Sequence, residues 1–396
     1  MPISNSNVLT FVLAGGKGSR LYPLTRDRSK PAVHFAARFR IIDWVLSSAV
    51  NSGLRKVYVL TQFKSLSLEK HLRLGWNFLA HELGEFMQAV PAQQRISEQW
   101  YSGTADAIFQ NVHLLEDHRP EHVVILSGDH IYNMDFNEMY QQHVNSGADL
   151  TLAVLEIDKK ESDQFGVLTV GEDGEITSFI EKPKDPSMIP GDSPVCHINM
   201  GIYIFKTDAL VRELATDARE ATAHDFGKNI IPSMLGRCRV QGFDFVKSRY
   251  GNYWRDVGTI QSFYDANMEF LNLKDSSSLI KDDWRIRTVG EQLPSAYLED
   301  CEVVNSTVGS GSHLERCKIT NCLIGRNVTI GEGTEIENSI IVANATIGKN
   351  CIIKNAILDD RVSIGDSKMV GVNLEEEKKF FFISDGIAVL PKNFEF

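Results

Sequence analysis

Phe11 to Val33 reads FVLAGGKGSRLYPLTRDRSKPAV. Its first residues complete a short apolar run, Val8 to Ala14, of the right length for a buried parallel strand and too short to span a membrane. The run passes straight into Gly15-Gly16-Lys17-Gly18-Ser19-Arg20. Glycines at a strand end let backbone N–H groups approach an anion closely, and a helix following such a turn aims its positive end at the same place. Lys17 and Arg20 add charge, and Lys30 follows from a loop stiffened by Pro23 and Pro31. The stretch predicts a phosphate site.

Two familiar phosphate motifs do not fit. A dinucleotide fingerprint needs a third glycine where Leu21 stands, and a P-loop needs Gly-Lys-Ser/Thr after a longer spacer. A plain structural turn therefore stays open. The basic cluster Lys17, Arg20, Arg26, Arg28, Lys30, Arg38 and Arg40, opposed only by Asp27, favours a ligand. The whole chain carries a formal net charge of -11, so this clustering runs against the trend. Local potential, rather than total charge, guides an anionic substrate.

Leu13 to Leu21, then Pro23-Leu-Thr25, then Lys30-Pro31 resemble the signature of sugar-nucleotide pyrophosphorylases, which are nucleotidyltransferases acting on sugar 1-phosphates. The resemblance implies that Leu13, Ala14, Gly15 and Gly16 cradle a nucleoside triphosphate while Arg20 and Lys30 neutralise its phosphates.

A chain of 396 residues suggests two domains. Composition, 43% hydrophobic and 23% charged, is that of a globular protein. No basic-then-apolar segment opens the chain and no run reaches about 18 apolar residues, so no secretory signal or membrane span is expected, and the reading is cytoplasmic. Six cysteines show no CxxC pairs and read as reduced, mostly buried thiols. The acidic balance argues against nucleic-acid binding.

Up to about residue 270 strand-like runs (Val57 to Thr61, Val123 to Ser127, Leu150 to Leu155, Gly201 to Phe205) alternate with helical patterns such as Ile42 to Ser52, Leu66 to Gly75, Ala105 to Asp117 and Asn137 to Ser146. That alternation predicts a Rossmann-like α/β domain with a mostly parallel sheet, whose ligands bind beyond the carboxyl ends of the strands. Gln62 follows one strand and reads equally as a surface amide or a site residue. In Trp100-Tyr-Ser-Gly-Thr-Ala-Asp-Ala107, Thr104 suits a helix N-cap, and the aromatics before it could stack on a base or sugar. Gly128-Asp129-His130 places an acid at a strand tip, where a cation would relieve the orphan charge, and Mg²⁺ prefers one or two carboxylates plus phosphate oxygens. His130 has no partner visible in sequence and reads as structural. Residues 165 to 183 predict a hairpin that includes Gly166 and ends in Glu181-Lys182-Pro183; as strand neighbours, Glu181 and Lys182 are expected on opposite faces.

GDHIY and FIEKP resemble the family as a whole, and WYSGTADA, HDFGKNIIP and YWRDVGT are similar to its ADP-glucose branch. The resemblance implies Mg²⁺ held by Asp129 and Asp256, and catalysis by Arg20, Lys30, Asp129 and Lys182. It implies a nucleotide wall from Gln62, Tyr101, Gly103 and Thr104, and sugar-phosphate contacts from Tyr101, Gly166, Glu181, Lys182 and Asn199. Asn199 replaces the branch's usual Ser, and Ser29 its usual Ala. The expected reaction joins ATP and α-D-glucose 1-phosphate into ADP-glucose and pyrophosphate, activating glucose for α-glucan synthesis. Alternatives are a relative using UTP, dTTP or GTP, a non-catalytic regulatory subunit, or a solenoid acyltransferase resting on His313. Family enzymes respond to anionic effectors between their domains, where Arg28, His34 and Arg40 stand at matching positions.

From Leu271 to Ala296 the sequence reads as a linker. Beyond it Ile324, Ile330 and Ile336 are six apart, as are Ile341, Ile347 and Ile353, with Gly following at 325, 331, 348 and 365. That spacing predicts a hexapeptide solenoid, the left-handed β-helix by resemblance, over 297–374, with 375–396 as a tail or cap. Solenoid faces pair readily, so a homo-oligomer is expected, a tetramer by resemblance.

Overall fold

The computed structural model describes residues 3, 7–93, 95, 100–191, 193–251, 253–271 and 281–396. One nine-stranded sheet organises the first domain. Its strands are β1 (Val8–Leu13), β2 (Lys56–Thr61), β3 (Phe86–Pro91), β4 (His122–Ser127), β5 (Leu150–Asp158), β6 (Gly166–Val170), β7 (Ile176–Glu181), β8 (Val195–Lys206) and β9 (Val240–Asp244). β1 lies between β2 and β4, parallel to both, and β3 extends the parallel part beyond β2. β8 runs antiparallel to β4, β5 and β6, and β6–β7 form the expected hairpin.

Strand alternation explains the helices on both faces. Val8, Val12, Val124 and Leu126 enter one apolar core, and Leu9, Phe11, Val123 and Ile125 enter the other. The helices come close to the sequence boundaries, at Ile41–Asn51, Leu66–Gly75 and Phe136–Ser146. The pattern from Ala105 to Asp117 is instead two short helices, Thr104–Phe109 and His113–His118.

The second domain is a three-faced solenoid with five, five and six strands to its faces, all parallel except Phe382–Ser384, which runs antiparallel to its neighbour. Registers stack Leu314 on Ile330, Ile319 on Ile336 and Ile324 on Ile341, so one apolar column fills each face. Asn305, Asn321, Asn338 and Asn355 repeat at one corner with positive φ, a conformation that asparagine tolerates better than most residues. The tail supplies the last two strands of the third face, Ile387–Leu390 beside Ala356–Leu358 and then Phe382–Ser384 at the edge.

The segment joining the domains folds back on the first. Ser276 to Ser278 lie outside the described residues. After them, Trp284 stacks on Tyr250 with ring centroids 4.1 Å apart, and Arg287 N donates to Ser47 Oγ at 2.8 Å. A separate apolar cluster joins Phe35, Trp44 and Phe263 to Leu323, Ile340 and Val389, so the two domains share a core. No helix among the described residues is long and apolar enough to cross a membrane.

Candidate active site

Two acids far apart in the chain meet through a two-stranded pairing. Beyond the end of β4, Ile131–Tyr132 runs antiparallel to Trp254–Arg255, with Arg255 opposite Ile131. Asp129 and Asp256 thereby converge on one ammonium. Lys30 Nζ lies 3.0 Å from Asp129 Oδ2 and 3.0 Å from Asp256 Oδ1. Ser127 Oγ donates to the other Asp129 oxygen at 2.5 Å. His130, read from sequence as structural, places Nε2 3.6 Å from Asp129 and 3.9 Å from Asp256. Its signal was present in the adjacency to Asp129, but only the strand pairing brings the second acid within reach.

Burial alone would raise the Asp129 carboxyl; the Lys30 ammonium, His130 and the Ser127 hydroxyl reverse this and hold it well below the usual carboxylate range. Burial alone would lower Lys30, yet the two carboxylates more than offset it and its pKa rises. The site is a preformed cluster of one ammonium between two acid side chains. Asp129 is 32% exposed at its side chain while Lys30 is 8% exposed, so the pair keeps an open oxygen face. Asp129 lines a cavity and Asp256 shares its ammonium, so the two hard oxygen donors could hold Mg²⁺, which takes its remaining ligands from phosphate and water.

That cavity, about 560 Å³, is lined by Leu13, Ala14, Gly15, Gly16, Arg20, Lys30, Gln62, Tyr101, Gly103, Thr104 and Asp129, the whole sequence-predicted nucleotide set. The expected helix behind the glycine turn is absent: only a 3-10 turn, Ser19–Leu21, follows, and the first α-helix begins at Ile41. Anion affinity here comes from open backbone and cationic side chains, not from a helix terminus. Arg20 Nη1 donates to Gln164 Oε1 at 3.0 Å, holding the guanidinium near Gly258. Gln62 clasps the aromatic loop: Tyr101 N donates to Gln62 Oε1 at 2.9 Å.

Gly103 is required by close approach, because a Cβ there would sit 2.1 Å from the His224 carbonyl oxygen. That carbonyl accepts from Ala105 N at 2.8 Å, and Thr104 Oγ1 donates to Asp225 Oδ2 at 3.0 Å. Thr104 is therefore the first helical residue rather than the cap, which is Gly103. Asp225 lines the cavity and was not singled out from sequence.

Of the sugar-phosphate set, Tyr101 lines the cavity, while Gly166, Glu181, Lys182 and Asn199 are not part of its lining. Glu181 ends β7, and Lys182 takes a positive φ of 48°, so strand alternation stops and the two side chains do not diverge. Lys182 Nζ lies 3.7 Å from Glu181 Oε1, an ion pair the alternation argument had set aside. Burial raises the Glu181 carboxyl above its ordinary range. Gly166 packs against Glu181 and Phe179. Asn199 is engaged internally: Oδ1 accepts from Gly201 N at 3.0 Å and Nδ2 donates to the Tyr203 hydroxyl at 2.8 Å.

Arg28, His34 and Arg40 gather at the domain boundary, away from the cavity lining. Arg28 pairs with the solenoid's Asp359, both side chains almost wholly buried. Burial, with Arg40 and Arg28 nearby, holds His34 well below 6.5. Arg40 Nη1 donates to the Ser67 carbonyl and hydroxyl, each at 2.9 Å, and makes no ion pair among the described residues.

Comparison with known proteins agrees with this geometry. Residues 9–272 match the nucleotidyl transferase family and residues 294–390 the GlmU-like, C-terminal hexapeptide family. The chain is 41% identical to a glucose-1-phosphate adenylyltransferase of Koribacter versatilis (strain Ellin345), covering 98% of this chain and 95% of that protein. It is 45% identical to glucose-1-phosphate adenylyltransferase 2 of Vibrio parahaemolyticus serotype O3:K6 (strain RIMD 2210633), over 98% of this chain and 100% of the relative.

Proposed function

The chain belongs to the nucleotidyl transferase family, and from that premise we propose that it transfers the adenylyl group of ATP to α-D-glucose 1-phosphate, giving ADP-glucose and pyrophosphate for α-glucan synthesis. The observation that carries this is the shared wall of one cavity, where the glycine turn, Arg20, Lys30, Asp129 and the aromatic loop meet. A phosphate oxygen of the sugar attacks the α-phosphorus in line as pyrophosphate departs. That nucleophile is ionised at neutral pH, so no general base is required, and catalysis is positioning with charge neutralisation.

Arg20 and Lys30 meet the triphosphate, the Gly15–Gly16 backbone cradles it, and Gln62, Tyr101, Gly103 and Thr104 bound the nucleotide. Lys182 takes the sugar phosphate and Glu181 accepts from sugar hydroxyls, with Tyr101, Gly166 and Asn199 shaping that side. Asp129 and Asp256 would hold Mg²⁺, which when bound supplies positive charge against the phosphates. For regulation, an anionic effector meets Arg40 first, with His34 beside it, and must displace Asp359 to reach Arg28. The solenoid faces favour a homo-oligomer, a tetramer by the family resemblance.

A product assay over ATP, UTP, GTP and dTTP with several sugar 1-phosphates tests the reading. ADP-glucose from ATP and glucose 1-phosphate is the expected dominant product. Preference for another nucleotide replaces the base assignment, and no turnover with any pair identifies a non-catalytic subunit.

A further inference from the structure

One ammonium within 3.0 Å of two carboxylates is the arrangement of a cation-binding acid pair that already carries its cation. Two carboxylates bring two negative charges and Lys30 cancels one. A divalent ion approaching the same oxygens would meet the ammonium at contact distance, where like charges repel by several kcal/mol even at an effective dielectric of about 20. The two cations cannot share the place.

The root of the Lys30 side chain is fixed by packing, and its tip is held by the two carboxylates. A Cβ on Gly18, whose φ is 60°, would lie 2.9 Å from Lys30 Cβ, so the glycine turn packs directly on the base of the side chain. The four-carbon stem beyond it has free rotors. The cavity that Lys30 and Asp129 line also runs along the glycine turn, Gly15 to Gly18.

We propose that Lys30 is the resident counter-ion of Asp129 and Asp256, that a divalent cation takes its place, and that the displaced ammonium moves to the phosphate side of the cavity. Metal entry then delivers the positive charge that the triphosphate needs, and the acids are never left unpaired. The inference rests on reading Asp129 and Asp256 as metal-holding acids.

The test uses the full chain with Mn²⁺ alone, without nucleotide, and reads binding by electron paramagnetic resonance. Lys30→Met removes the competitor, and its Mn²⁺ affinity should rise by about tenfold or more, a small part of the charge repulsion at contact. Unchanged or weaker binding overturns the proposal. Adding Asp129→Asn to Lys30→Met should abolish that binding; retention would overturn the metal reading itself. A second measurement avoids any folding defect in the variants. Trace acetylation of the wild-type chain, quantified by mass spectrometry, should show Lys30 labelling rise on Mn²⁺ addition relative to the solenoid's Lys354. Labelling that stays level overturns the displacement.

Discussion

Lys30 and Arg28 stand two residues apart in one loop and each is paired with carboxylate, yet the two clusters are built for different ends. The Lys30 cluster faces a cavity, with side-chain exposures of 32% and 17% on its two acids. The Arg28–Asp359 pair is sealed, at 4% and 2%, and spans the two domains. Beside it Arg26 donates to the Lys392 carbonyl, a second contact from the loop to the solenoid domain. Burial without an open face makes a weld, whereas burial with an open carboxylate face makes a reactive site. The weld also holds the loop that carries Lys30.

The largest effect should come from breaking the weld. Asp359→Ala leaves the Arg28 guanidinium buried and unpaired, which costs about 3–5 kcal/mol of stability, read from chemical denaturation. Arg28→Met with Asp359→Leu should recover most of that loss, because a well-packed apolar pair replaces a buried ion pair at little net cost. A single variant as stable as wild type would remove the distinction drawn here. Asp129→Ala tests the other cluster. Its adenylyl transfer rate should fall by roughly a hundred to a thousandfold, or about 3–4 kcal/mol of barrier, while the fold persists. Wild-type turnover in that variant would sink the role assigned to the acid pair. Gly103→Ala should be milder. The added methyl must push the His224 carbonyl away and shift the aromatic loop, raising KM for ATP about tenfold for roughly 1–3 kcal/mol of strain.

Much of this was legible in the sequence, for identifiable reasons. The phosphate turn was readable because strand-end glycines and cations lie close together between Leu13 and Lys30, and local spacing carries local geometry, whereas Gln62, Tyr101, Gly103 and Thr104 were implied by the family resemblance. The solenoid was readable because its period is written in the isoleucines. What stayed hidden depends on long-range register. His130 gains its meaning only when Arg255 pairs with Ile131, and Asp225 enters the cavity only through its bond with Thr104. The missing helix after the glycine turn reflects Pro23 and the irregular loop around it, which a strand-turn template overrides too readily. Lys182 escaped strand alternation because its φ is positive, which the pattern before it does not encode.

The smallest effect separates the weld from the rest of the buried core by pH. His34 in the weld is held well below 6.5 by burial and by Arg40, Arg28, Arg326 and His71, and His143 in the catalytic core is lowered to about 3 chiefly by burial. Both are neutral when folded, while the unfolded chain binds protons below an ordinary value near 6.5, about one per histidine. Stability from these groups is thus complete above that value and lost as pH falls through it, at about 1 kcal/mol each by pH ~5.5. His143 bonds Thr151 Oγ1 at 2.8 Å and touches no residue of the weld, so His143→Gln should flatten the acid slope of unfolding and leave the Asp359→Ala penalty intact. His34 lies 3.4 Å from an Arg28 nitrogen that can only donate, so its Nδ1 must accept and its protonation opposes the ion pair directly. His34→Gln should therefore flatten the slope and also change the Asp359→Ala penalty, a coupling visible in a double-mutant cycle at pH ~5.5. Equal behaviour of the two histidines in that cycle would mean that the weld is no more sensitive to acid than any other buried part of the molecule.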